Sequence, residues 1–312
     1  MKINHVISTA QFLERDVLQE LFHQADEMEM RDKKKSLPEL FKGKVMTCVF
    51  YEPSTRTRFS FEAAMQKLGG KVITTESAGQ FSSATKGESL QDTIKIMGGY
   101  ADVIVLRHSE QGSAAIAAEV STVPVINAGD GPGEHPTQAL LDLYTIQKEC
   151  KKIDGITIAM VGDLVHGRTI HSLVKLIAIY RDIKIYFVAP EQLRLPEEYK
   201  RYLREKNVSF EEVSNLKEVV KKVDVLYMTR VQKERFTSIE EYNQVKDEYI
   251  INKDIVSVLK KTAMIMHPLP RVNEIDPEID SDPRAAYFRQ AKNGLYIRMA
   301  LLQMIFKGKE EQ

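Results

Sequence analysis

Short apolar runs alternate along this chain with stretches of helical spacing, and that alternation limits the possible folds more than any other feature. Val45-Met46-Thr47-Cys48-Val49-Phe50 reads as a buried strand. Phe59, Phe61, Ala63, Ala64, Met65 and Leu68 follow it, spaced as an amphipathic helix. Residues 72–75, 102–106 and 123–126 repeat the strand pattern with helical stretches between them, and a second series runs through 156–161, 183–188, 225–228 and 263–266. Such alternation implies parallel strands with crossover helices. Apolar spacing also predicts helices over 14–30, 136–150 and about 283–306, with Gly294 marking a bend in the last. The fold expected is α/β: two doubly wound lobes, each a parallel sheet flanked by helices, joined by bridging helices. A length of 312 residues suffices for two domains. Residues 1–136 with the C-terminal helix 293–312 make the first, and 137–292 the second.

Ligands of parallel sheets bind outside the carboxyl ends of the strands, and the unusual residues of this chain fall there. The run Glu52-Pro53-Ser54-Thr55-Arg56-Thr57-Arg58 joins the first strand to its helix. A first helical turn has unpaired N–H groups and the positive end of the macrodipole, so added hydroxyls and guanidinium groups make a phosphate site. The plainer alternative is a well-capped helix with two solvated arginines, although capping needs only one hydroxyl. Arg107 and His108 end another strand, and His135 and Gln138 open the helix after the next one. Residues 76–88 are small and polar, and read as a loop that is either functional or a plain connection.

The second series offers Gly162 and Gly167, which do not make GxGxxG, then Arg168 at a helix start. Arg230 and Gln232 follow a third strand there, and His267-Pro268-Leu269-Pro270-Arg271 follow a fourth. Two prolines fix the backbone around Leu269, so its carbonyl can be aimed at a ligand. Lys233 reads as part of a solvated charge run.

Lys+Arg and Asp+Glu both number 44, a net charge of +0 that argues against a general nucleic-acid or membrane-surface binder and still allows a local basic pocket. Cys48 and Cys150 belong to no ligand pattern, so no structural zinc is expected in this chain, and Cys48 reads as a buried thiol. No carboxylate cluster indicates magnesium, and no metal or cofactor is expected. Residues 1–5 lack a secretory apolar segment, and no run approaches the ~20 apolar residues of a membrane span. A cytoplasmic enzyme is the expectation. No nucleophilic Ser or Cys with an adjacent base is apparent, so the inventory points to direct transfer between two bound anions, driven by positioning and charge stabilisation.

Ser54-Thr55-Arg56-Thr57-Arg58 resembles the carbamoyl-phosphate signature of the aspartate/ornithine carbamoyltransferase family. His135-Pro136-Thr137-Gln138 and His267-Pro268-Leu269-Pro270 match further family motifs in the same order, over nearly the whole chain. Residues 230–235 and Pro268 look like the aspartate branch, and the Cys and Ser-Met-Gly features of the ornithine branch are missing. The resemblance implies carbamoyl transfer from carbamoyl phosphate to L-aspartate, a step of pyrimidine biosynthesis. It implies that Ser54, Thr55, Arg56, Thr57 and Arg107 hold the phosphate. His135, with Thr57 and Arg107, would polarise the carbonyl, and Gln138 would hold the carbamoyl amino group. The carbonyls of Leu269 and Pro270 would complete that site and position the nucleophile. Arg168, Arg230, Gln232 and Lys86 would bind aspartate. Ser82 and Lys86 match residues that enter the site of a neighbouring subunit, which implies a homotrimer with shared sites, although 83–85 depart from the family's glycine- and lysine-rich form. A separate zinc-bearing regulatory chain is a further partner in the family, and domain closure follows from anion sites on different lobes. Transfer to a basic amine such as ornithine, and a non-catalytic phosphate-metabolite sensor, stand as the alternatives.

Overall fold

The computed structural model describes residues 3–81, 83–232, 236, 238–245 and 249–310. The chain divides into two compact units, Met1–Leu140 with Lys292–Gln312, and Leu141–Ala291.

In the first unit, β1 (Val45–Phe50), β2 (Lys71–Glu76), β3 (Val103–His108) and β4 (Val125–Asp130) form one sheet in the order β2-β1-β3-β4. Every pairing is parallel. Its helices are α1 (Arg15–Lys33), α2 (Thr55–Lys67), the short α3 (Ala78–Phe81), α4 (Leu90–Gly98) and α5 (Ser113–Val120). Central strands carry the apolar runs: Val49, Ile104, Leu106 and Val125 pack with Ile94 of α4 and Ala117 of α5. β2 lies at the edge, and its Ile73 is half exposed. Sheet order reverses between β1 and β3, so the crevice expected to receive a ligand opens at their carboxyl ends.

α6 (Pro136–Cys150) contains the boundary after Leu140, and α11 (Tyr287–Glu310) the boundary after Ala291. Within the first unit the Arg298 guanidinium lies over the Phe61 ring at 5.0 Å, which ties the C-terminal helix to α2.

In the second unit, β5 (Thr157–Val161), β6 (Lys184–Val188), β7 (Ser209–Val213), β8 (Val225–Met228) and β9 (Met264–Met266) form a parallel sheet in the order β7-β6-β5-β8-β9. Here the order reverses between β5 and β8. Crossovers are made by α7 (Arg168–Ile177), α8 (Glu197–Glu205), α9 (Ile239–Val245) and α10 (Lys253–Val258). Ala159, Val161, Leu226, Met228 and Ile265 build the core with Val219, Val220 and Ile255.

Three sequence expectations need correction. Residues 76–88 are not an open loop throughout: α3 and a 3-10 turn at Ser83–Lys86 occupy much of the segment. The last helix begins at Tyr287 rather than near 283, because Arg284 O accepts from Ile265 N and Ala286 N donates to Ile265 O, holding 284–286 against β9. That helix also continues through Gly294 without a break. β7, α8, α9 and α10 are additional to the elements expected from the sequence.

Candidate active site

The first-unit site is built on the turn between β1 and α2. Ser54 is the N-cap of α2, and its side chain makes no capping hydrogen bond. Thr55 and Arg56 are exposed on the first turn, and Thr57 is buried. Thr57 Oγ1 lies 3.5 Å from His135 Nε2, with the proton's position set by the imidazole tautomer. Arg107, at the end of the neighbouring β3, donates from Nη1 to Ala128 O at 3.2 Å and pairs through Nη2 with Glu52 at 3.3 Å. Its guanidinium is thus held in one orientation, with a side chain 13% exposed. A fixed planar fork paired with Glu52, in the turn that leads into α2, suits bidentate binding of a phosphate.

His135 is placed by the segment before it. Asp130 accepts from Glu134 N at 2.7 Å and from Gly112 N at 3.0 Å. The Glu134 carboxylate accepts from Thr9 N at 2.7 Å and from the Ser8 and Thr9 hydroxyls. Gly131 allows this tight turn: its φ is +55°, and a Cβ there would stand 2.1 Å from Ser109 O. Gln138 N donates to His135 O at 3.0 Å, so both residues sit on the first turn of α6. The His108 ring packs tilted against Tyr51, with centroids 4.4 Å apart, and its Nδ1 accepts from Glu110 N. Burial lowers its pKa, against the opposing pull of Glu110, Glu52 and Asp130.

The second-unit set gathers at the β5/β8 switch point. Asp163, fully buried after β5, accepts from His166 N at 3.0 Å on one oxygen and from Gln232 N at 3.2 Å on the other. Gln232 Nε2 donates back to His166 O at 3.0 Å. One carboxylate therefore fixes both the turn leading to Arg168 and the segment that carries Arg230 and Gln232. Gly162 starts this turn at φ +110°, where a Cβ would meet Thr229 O at 2.3 Å. His171 Nε2 bonds Leu164 O at 2.8 Å and its ring stacks on Tyr199, so α7 is tied to the same turn. Burial lowers the His171 pKa more than that hydrogen bond raises it.

Leu269 and Pro270 follow β9, joined by a cis peptide bond, with Leu269 at φ 56°. Leu269 N donates to His267 Nδ1 at 2.7 Å, which assigns the ring proton to Nε2, 2.8 Å from Glu274. Burial would raise the Glu274 carboxyl, but the His267 bond and the Val272 amide outweigh it and hold it below its ordinary value. Gln290 supports the same segment by accepting from His267 N at 2.9 Å and donating to Asp142.

Of the other candidates, Lys86 is exposed in its 3-10 turn, while Ser82 lies outside the described residues. So do Lys233, Glu234 and Arg235. Sequence reasoning passed over Glu52, Glu76 and Asp163. All three stand at or just beyond the carboxyl ends of β1, β2 and β5, so the strand-end rule would have found them if applied to acids as well as bases.

A family model for "Aspartate/ornithine carbamoyltransferase, carbamoyl-P binding domain" matches residues 4–148, and one for the "Asp/Orn binding domain" matches 154–305. The chain is 55% identical over 308 residues to a chloroplastic aspartate carbamoyltransferase of Arabidopsis thaliana, covering 98% of this chain and 79% of that protein. It also resembles the solved catalytic subunit of M. jannaschii aspartate transcarbamoylase, with a TM-score of 0.92 and 48% identity over 99% of this chain and 100% of that one. A Trypanosoma cruzi aspartate transcarbamoylase in complex with carbamoyl phosphate and aspartate superposes with a TM-score of 0.92 at 42% identity, covering 97% of each chain.

Proposed function

The chain belongs to the aspartate/ornithine carbamoyltransferase family, and from that premise we propose that it transfers the carbamoyl group of carbamoyl phosphate to the amine of L-aspartate. The products are N-carbamoyl-L-aspartate and phosphate, a step of pyrimidine biosynthesis. One observation carries the choice of aspartate: Arg168, Arg230 and Gln232 all follow the two strands that flank the second switch point. Two guanidinium groups and an amide suit a dicarboxylate, and they would repel the extra cation of ornithine.

Carbamoyl phosphate is read onto the first unit. Ser54, Thr55, Arg56, Thr57 and Arg107 take its phosphate. His135, Thr57 and Arg107 draw charge onto the carbonyl oxygen, and Gln138 holds the amino group. The unprotonated aspartate amine attacks the carbamoyl carbon. A C–N bond forms, the bond from that carbon to the phosphate oxygen breaks, and the departing phosphate accepts the amine proton. Arg56 offsets the charge on that oxygen, while the carbonyls of Leu269 and Pro270 orient the nucleophile. No side chain is covalently modified, so the rate comes from positioning and from donors aimed at developing charge.

The active unit in this reading is a homotrimer in which Lys86 of one subunit completes the aspartate site of the next. Support comes from the exposure of Lys86 and from Phe59 and Ile73, large apolar side chains left half exposed in the same unit. A separate regulatory chain is the further partner, in keeping with the M. jannaschii structure being named a catalytic subunit.

The test is to incubate the purified chain with carbamoyl phosphate and either aspartate or ornithine, and to measure carbamoylated product. Product from aspartate alone is expected. Product from ornithine alone would overturn the reading of the second site, and no product from either would replace the enzyme by a sensor.

A further inference from the structure

Glu76 has no part in the chemistry above, yet it touches the phosphate turn. It ends β2 in register with Phe50 at the end of β1, so it shares the sheet edge from which α2 departs. Its Oε1 accepts from Ser54 N at 3.0 Å, and its Oε2 pairs with Arg58 Nη2 at 3.3 Å. In a capping box, the N-cap amide is accepted by a Glu or Gln three residues into the helix. That position here is Thr57, whose hydroxyl is beside His135. The box is therefore closed from the next strand, and Thr57 and Ser54 keep their hydroxyls out of capping.

The arrangement has an electrostatic side. A carboxylate at a helix N-terminus competes with any anion drawn to the same positive end. Glu62, in the middle of α2, places another carboxylate beside Arg58, with Oε1 3.6 Å from Arg58 Nε. Arg58 stands between the two, its guanidinium 5.0 Å from the Phe59 ring centroid and its side chain 17% exposed. At that exposure its charge is only partly screened by water.

We propose that Glu76 and Arg58 are positioning residues for the phosphoryl group of carbamoyl phosphate. Glu76 fixes the N-cap amide so that the first turn of α2 is preformed, and Arg58 cancels the Glu76 charge so that the turn still attracts a dianion. The inference rests on the reading of this turn as the phosphate site.

The test is a double-mutant cycle of Arg58→Met and Glu76→Gln, read by calorimetric binding of inorganic phosphate at low and high salt and by the KM values of both substrates. Gln keeps an oxygen for Ser54 N–H and removes the charge. Arg58→Met is expected to weaken phosphate binding about ten-fold, ~1.4 kcal/mol, with the aspartate KM within about two-fold of wild type, as expected for independent sites. The double variant should recover at least half of that loss. Glu76→Gln alone should bind phosphate about three-fold more tightly at low salt, a gain that salt removes. A folded Arg58→Met protein with unchanged phosphate affinity, or a loss that Glu76→Gln does not relieve, would overturn the inference alone. If Arg58→Met does not fold, Glu76→Gln decides, and equal or weaker phosphate binding at low salt would overturn it. No phosphate binding by the wild-type chain would overturn both this inference and the site reading beneath it.

Discussion

Replacing Asp163 by Asn should damage aspartate binding and leave carbamoyl phosphate binding intact. The Asp163 carboxylate is fully buried, and its two oxygens serve different amides, His166 N and Gln232 N. Asn offers one oxygen and one NH2, so one of those half-buried N–H groups would face a donor instead of an acceptor. Leaving a buried donor unsatisfied costs about 1–3 kcal/mol. If that cost falls on the geometry that binds aspartate, it corresponds to roughly a five- to hundred-fold rise in aspartate KM. Asp163→Ala would strand both amides at about twice the cost, a large share of a marginal stability, so Asn is the more informative change. The assay is steady-state turnover with aspartate varied at saturating carbamoyl phosphate, then the reverse. A folded Asp163→Asn enzyme whose aspartate KM is unchanged would show that the turn holds its shape without this carboxylate, which would refute the role given to Asp163.

Other expectations follow from the same contacts. His135→Ala should lower kcat by roughly 10²–10³, the usual loss of a donor to developing negative charge, with a smaller fall for Thr57→Val in the same turnover assay. His108 and His171 both have pKa values lowered by burial from the ordinary 6.5, so each takes up a proton less readily in the fold than in the unfolded chain. Their contribution to stability is present above pH 6.5 and is lost as pH falls through the folded-state values; calorimetric melting should show Tm dropping from pH 7.5 to 5.5, with a shallower slope in His171→Phe. Mixing chains of Lys86→Ala with chains of Arg56→Ala should restore turnover absent from either parent, because some sites then combine two intact contributors; an inactive mixture would refute the shared site.

Much of this architecture is legible in the sequence because parallel strands buried on both faces read as nearly continuous apolar runs, as in 45–50 and 156–161, each broken by a single Thr. Their carboxyl ends are equally plain, and Arg107, Arg168 and Arg230 stand out in the segments that follow them. β7 escaped notice because Ser209-Phe210-Glu211-Glu212-Val213 is an edge strand, with too few buried positions to form an apolar run. α8 is largely charged and buries only Leu203, so its spacing gives little signal. The start of α11 was misplaced because 284–286 satisfy their backbone groups on β9, a partner distant in the chain. Glu76 and Asp163 could be seen in the sequence as residues but not as partners, since Ser54 and Gln232 are brought to them by crossover helices and sheet register. Chemistry of that kind depends on long-range pairing, which local pattern does not encode.

The most direct test of the whole account is a crystal structure of the chain soaked with inorganic phosphate and succinate, a dicarboxylate that lacks the reacting amine. Phosphate is expected on the first turn of α2, within hydrogen-bond reach of Ser54, Thr55, Thr57 and Arg107, and succinate held by Arg168, Arg230 and Gln232. Phosphate bound away from that turn, or succinate held by neither arginine, would contradict it.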